Sequence, residues 1–155
     1  MKVLVVGLIC VFSSFLTAAC ASTDTVKTGV QDGRLQPCPN GPKCVSTQSE
    51  DERHRMEPIP YSGSLEEARE RILSIVRGME TSQVVTVEPR YLYVQFKSKV
   101  FGFIDDVEFY FDEERNLIHF RSSARFGYYD WKVNRQRMEY VGEEFARLDE
   151  TKDDG

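Results

Sequence analysis

The densest chemistry in the chain lies in RSSARFGYYDWKVNRQR, residues 121–137. Guanidinium groups at Arg121, Arg125 and Arg137, hydroxyls at Ser122 and Ser123, the Asp130 carboxylate and the Asn134 amide could converge where the last strand ends and the last helix begins. Such a set could hold an anion, because planar guanidinium groups bond oxyanions in two places and a helix start adds free N–H groups. It could equally be a polar knot. Asp130 can cap the helix that follows, and Arg125 or Arg137 can pair with Asp130 or with one of the carboxylates at Asp105 and Asp106. Gly127 marks a backbone angle that a side chain would disfavour.

The second group is Asp105, Asp106 and Glu108, a set of side chains that suits acid/base or metal chemistry. On a strand, Asp106 and Glu108 share one face while Asp105 points to the other. Matching the apolar faces sets Phe109 opposite Phe120 and Phe111 opposite Ile118. That register closes the loop at residues 113–116, sets Tyr110 opposite His119, and sets Glu108 opposite Arg121 as a cross-strand ion pair. The competing reading is a catalytic carboxylate, in an envelope hydrolase or isomerase using Asp105, Asp106 or His54. Support for it is thin: His54 and His119 are the only histidines. No serine sits in a nucleophile elbow or a Ser-x-x-Lys motif, and no phosphate loop or dinucleotide fingerprint occurs. No catalytic residue and no cofactor is assigned.

The remaining reactive groups are cysteines, and their fate depends on compartment. The chain opens MKVLVVGLICVFSSFLTAAC, a basic start, an apolar run and small residues before Cys20. This is the pattern of a secretory signal at residues 1–19, and the apolar run is shorter than the roughly 20 residues a spanning helix needs. Leu-Thr-Ala-Ala-Cys resembles the bacterial lipobox, although Leu16 sits one place further from the cysteine than is usual. The expectation is an exported protein held to the membrane by lipid on Cys20, facing the periplasm from the outer membrane if the host is Gram-negative. The alternative is a soluble secreted form cut before or after Cys20. Cys38 and Cys44 then remain as a pair in an oxidising compartment and read as a disulfide worth about 2 kcal/mol across so short a loop. A metal set of Cys38, Cys44, His54 and Asp51 is the competing reading, without close CxxC or HxxxH spacing to support it.

The elements that must position these groups follow from periodicity. Residues 20–36 are polar without apolar period and read as a flexible tether. Residues 37–44 carry three prolines and a glycine, which exclude helix or central strand. Residues 45–61 have no clear period and read as an extended surface segment. Ser64 and Glu67 form a capping box for an amphipathic helix running to about residue 77 and stopped by Gly78. Four alternating strands follow, near 84–87, 92–97, 106–111 and 118–123. A closing helix from about Val133 sets Met138, Val141, Phe145 and Leu148 on one stripe. This order predicts a single α+β domain over residues 37–149, a four-stranded antiparallel meander with two helices packed on one face, followed by a frayed tail at 150–155. Net charge is −5, with 20 basic against 25 acidic side chains. Loss of Lys2 with the signal makes it −6, and an acidic domain is a poor fit to nucleic acid. The partners that remain are the membrane, through Cys20, and either a small anionic ligand or an envelope protein.

Cys38-Pro39-x-x-Pro42-x-Cys44-Val45-Ser46, Asp51 and His54, the run from Phe101 to Phe109, and Arg121-Ser122 through Arg137 together resemble the family called domain of unknown function 1499. The resemblance spans about residues 35–145 and implies a bacterial envelope or secreted protein, with no established activity. Two departures stand out. Residues 130–133 read Asp-Trp-Lys-Val where Asp-Leu-Gly-Val is usual, and residues 122–125 read Ser-Ser-Ala-Arg where Ser-Ala-Ser-Arg is common. Lysine at 132 in place of glycine implies an ordinary backbone angle there.

Overall fold

The computed structural model describes residues 27–153, so the expected signal segment and Cys20 lie outside the described residues. From the N-terminus the elements are β1 (Val30–Gln31), β2 (Arg34–Leu35), β3 (Cys44–Ser46), β4 (Ile59–Pro60), α1 (Leu65–Gly78), β5 (Ser82–Glu88), β6 (Tyr91–Lys97), β7 (Ile104–Asp112), β8 (Leu117–Ala124) and α2 (Val133–Asp153). Helix α1 begins at the expected capping box: Ser64 accepts from the Glu67 N–H while the Glu67 carboxylate accepts from the Ser64 N–H. Its buried stripe of Ala68, Ile72, Ile75 and Val76 recurs at three and four.

The domain is α+β with two helices and antiparallel pairing, but its sheet is larger than a four-stranded meander. Strands β5 to β8 form the meander, and the full sheet has six strands in the order β3-β8-β7-β6-β5, with β4 also on β8. Residues 45–61 therefore do more than run over the surface. β3 lies beside residues 121–123 and β4 beside residues 117–118, so together they close the outer edge of β8. Strands of two or three residues are too short to show a period, yet they satisfy the edge N–H and C=O groups that β8 would otherwise leave open. The β7–β8 register is the one that matched apolar faces demand, with Phe109 opposite Phe120, Tyr110 opposite His119 and Glu108 opposite Arg121.

That register divides the sheet into two unlike faces. Leu92, Val94, Phe96, Val107, Phe109, Phe111, Ile118 and Phe120 join both helices in one hydrophobic core. All of this core falls within residues 45–148. The opposite face carries Tyr91, Tyr93, Asp106, Glu108, Tyr110, His119 and Arg121. A two-stranded hairpin, β1 with β2, lies over it. The segment expected to be tether is thus folded from residue 27 onward. Leu35 is buried, its N–H donates to Gln48 Oε1 at 2.8 Å, and the Gly29 N–H donates to Glu108 at 2.6 Å. A polar sequence without period gave no sign of this, because the arm is held by hydrogen bonds rather than by an apolar stripe. Cys38 and Cys44 form a disulfide, which closes the loop leading into β3.

Candidate functional site

The polar face is held by a network of charge-assisted bonds, with Arg121 Nε its one buried donor left without a partner among the described residues. Glu108, wholly buried, accepts from Arg121 Nη1 at 2.9 Å, from the Tyr91 hydroxyl at 2.7 Å and from the Gly29 N–H. Asp106, also wholly buried, takes both Nε and Nη2 of Arg125 at 2.8 Å and the Tyr93 hydroxyl at 2.5 Å. Burial, and Glu108 alongside, push the Tyr91 phenol far above its ordinary range. Burial, and then the Asp106 bond, push Tyr93 up. Both phenols therefore remain protonated donors. These carboxylates have the geometry of anchors, since every face they present to a substrate is already bonded.

His119 stacks on Tyr110 at 6.2 Å between ring centres, and Thr47 Oγ1 stands 3.1 Å from its Nδ1. Burial lowers its pKa, outweighing the Asp112 carboxylate 3.9 Å from Nε2. A histidine held neutral in the folded state and free to protonate near 6.5 when unfolded makes the unfolded chain the stronger proton acceptor below that pH. Stability should consequently fall as pH drops below 6.5. The variant His119→Gln should show a flatter acid-side slope in urea titrations from pH 7 downward. An unchanged slope would remove His119 as the cause.

On the helix side, Arg137 Nη2 bonds Asp105 at 2.7 Å, with the guanidinium 4.5 Å above the Phe96 ring. Asn134, wholly buried, is the centre of a second knot. Its amide nitrogen donates to Asp130 at 2.8 Å and to the Lys43 carbonyl at 3.2 Å. Its oxygen accepts from Ser122 at 2.5 Å and from Arg137 at 2.8 Å. Asp130 caps α2 as expected, accepting the Lys132 and Asn134 N–H groups. All three arginines of the candidate anion pocket are thus taken by carboxylates: Arg121 by Glu108, Arg125 by Asp106, Arg137 by Asp105. Clefts of about 600 and 580 Å3 occur elsewhere, one beneath β1–β2 beside Asp51 and His54, the other between β4 and α2, and none of these arginines lines either.

The enzyme reading needs Asp105, Asp106 or His54 available, and they are neither together nor free. Asp105 and Asp106 lie on opposite faces, each held by an arginine, and the buried His54 ring donates from Nε2 to the Gly41 carbonyl at 2.9 Å. His54 so steadies the disulfide loop. Because the two thiols are bonded to each other, the metal set proposed on Cys38 and Cys44 loses both thiolates. Among the described residues no group of three or more His, Cys, Asp or Glu side chains is placed to hold a metal.

One local expectation is overturned. Lys132 has φ 65° and Trp131 φ 55°, both left-handed. The capping carboxylate of Asp130 needs the chain to fold back within two residues, and it imposes this angle on residues whose Cβ resists it. Replacing Lys132 by glycine should raise stability by about 1 kcal/mol, since the strain goes while the backbone N–H stays. A lower melting temperature for Lys132→Gly would contradict this.

What the sequence reading passed over lies at the same end of the sheet. The β6–β7 loop and the β8–α2 loop meet there, because Asp105 pairs with Ala124 and the Arg125 N–H donates to the Ile104 carbonyl at 3.0 Å. Phe101 stacks on Phe103 and Phe103 on Phe126, at 5.4 and 4.8 Å between ring centres. Tyr128, Tyr129 and Trp131 continue as a second string. These six rings are exposed, Trp131 by 81% and Phe101 by 74%. The available signal was aromatic residues beside Gly102 and Gly127, both at positive φ: rings set in tight turns cannot enter a sheet interior. A family model described as protein of unknown function (DUF1499) matches residues 34–145. The chain belongs to that family. The match covers the ion-pair network, the disulfide and both aromatic loops, whereas β1 and Gly29 precede it. No curated protein and no solved structure matches the chain.

Proposed function

We propose that this member of the DUF1499 family is an exported lipoprotein, anchored through Cys20, that works as a binding module of the cell envelope and not as an enzyme. Its contact surface is the aromatic end formed by residues 98–103 and 125–132. One observation carries the reading. Six exposed aromatic side chains gather at one end of a domain whose buried carboxylates are all bonded to arginine or tyrosine. Large contiguous apolar surface on a soluble domain marks a contact site. The arginines expected to receive an anion serve here as struts that fix the two loops: Arg125 ties the base of one to β7, and Arg137 ties α2 to the same strand. The test is made in intact cells with the full chain. Labelled palmitate should enter the protein and fail to enter Cys20→Ser. A photo-crosslinking amino acid at Phe126 should give defined adducts, whereas the same group at Ser74, exposed on α1, should not. Equal crosslinking from both positions would remove the aromatic end as the contact surface.

A further inference from the structure

Resting on that reading, we infer that the aromatic end docks onto an anionic bilayer surface, the membrane that holds the lipid anchor. Charge decides the class of partner. The three loops gathered at this end, residues 38–44, 97–103 and 125–132, contain five basic side chains (Lys43, Lys97, Lys99, Arg125, Lys132) and one acidic, Asp130. The chain as a whole carries −5. With Glu80 and Asp106, the carboxylates bonded to Lys99 and Arg125, counted as well, an acidic protein still presents a local +2 around exposed rings, and Asp130 turns inward to cap α2. Lys99 pairs with Glu80 and Arg125 with Asp106. Lys43, Lys97 and Lys132 have no ion-pair partner among the described residues. Tyrosine and tryptophan favour the headgroup level, where ring and polar tip are both accommodated, and each nearby lysine or arginine adds attraction to anionic lipid.

The chain outside the described residues is long enough to permit this. Gly29 is fixed at Glu108, four residues along β7 from Ile104, or roughly 13 Å from the aromatic end at 3.3 Å per residue. Gly29 is nine residue steps from Cys20, which can span up to about 30 Å when extended. Lipid on Cys20 and the rings at residues 101–131 can therefore enter one leaflet together.

Trp131 is the only tryptophan, so its emission reports on this surface alone. The chain from Ala21, which keeps the whole core and carries no lipid, is mixed with phosphatidylglycerol vesicles or with phosphatidylcholine vesicles. The expected result is sedimentation with the anionic vesicles and a shift of Trp131 emission to shorter wavelength. Phe101→Ser with Phe126→Ser should lower partitioning by about tenfold or more, since fully burying one such ring is worth at least that factor. Both rings are exposed, so an unchanged near-ultraviolet circular dichroism spectrum away from ring loss and an unchanged melting temperature certify the variant's fold. No shift and no sedimentation with anionic vesicles, equal binding to phosphatidylcholine, or full binding by the double variant would each overturn the inference. Protein adducts from Phe126 in cells without vesicle binding would leave the contact surface in place and replace its occupant. Absence of both results would remove both.

Discussion

Replacing Glu108 by alanine is expected to lower the unfolding free energy by about 3–5 kcal/mol. The change leaves Arg121 buried at 3% exposure with its charge uncompensated, and it strips the Tyr91 hydroxyl and the Gly29 N–H of their acceptor. Urea unfolding would show it as a lower midpoint at constant slope. The companion experiment separates charge from packing. Glu108→Leu combined with Arg121→Met leaves no buried ion and should recover most of the loss, because an apolar pair of similar volume avoids the desolvation that two ions require. A Glu108→Ala protein within about 1 kcal/mol of the parent would place this pair among solvent-exposed bridges, which contribute that little.

The second large effect is expected at Asn134. Its amide joins three segments at one point: the Lys43 carbonyl before β3, Ser122 in β8, and Asp130 with Arg137 around the start of α2. Asn134→Ala removes four buried side-chain hydrogen bonds at once, two of them to the charged Asp130 and Arg137, although each partner keeps one other bond. At about 1 kcal/mol for each bond lost, the loss should be on the order of 4 kcal/mol. Asn134→Asp keeps the shape but replaces the donating nitrogen with an oxygen facing the Asp130 carboxylate and the Lys43 carbonyl. It should therefore destabilise as well, and more strongly at neutral pH than near pH 4. If Asn134→Asp were neutral at pH 7, the assigned direction of the amide would be wrong.

The parts of the fold that were legible in the sequence share a cause. Alternation with period two fixes which residues of a strand face together, so Phe109 and Phe120 sufficed to place Glu108 against Arg121. The Ser64–Glu67 box and Asp130 were legible because capping is local chemistry. The hidden parts are non-local or short. β3 and β4 have three and two residues and gain their place only by bonding to β8. The arm at residues 27–36 is fixed by Glu108, 79 positions from Gly29. Partners for Arg125 and Arg137 required knowing that β8 ends level with Asp105, after which Asp106 and Asp105 take one arginine on each face. Lys132 shows the opposite failure: a residue type argued for an ordinary angle, and the cap overrode it.

The burial of Glu108, Asp106 and Arg121 also separates two responses to ionic strength. Dissolved salt screens charges that reach solvent over roughly 10 Å at 0.1 M and acts far less on pairs enclosed in protein. The Glu108–Arg121 and Asp106–Tyr93 bonds between the strands are enclosed. Lys97, Lys99 and Lys132 at the aromatic end face water. If the proposed docking holds, a rise in salt should thus weaken the contact of this surface with anionic lipid while leaving the domain itself as firm as before.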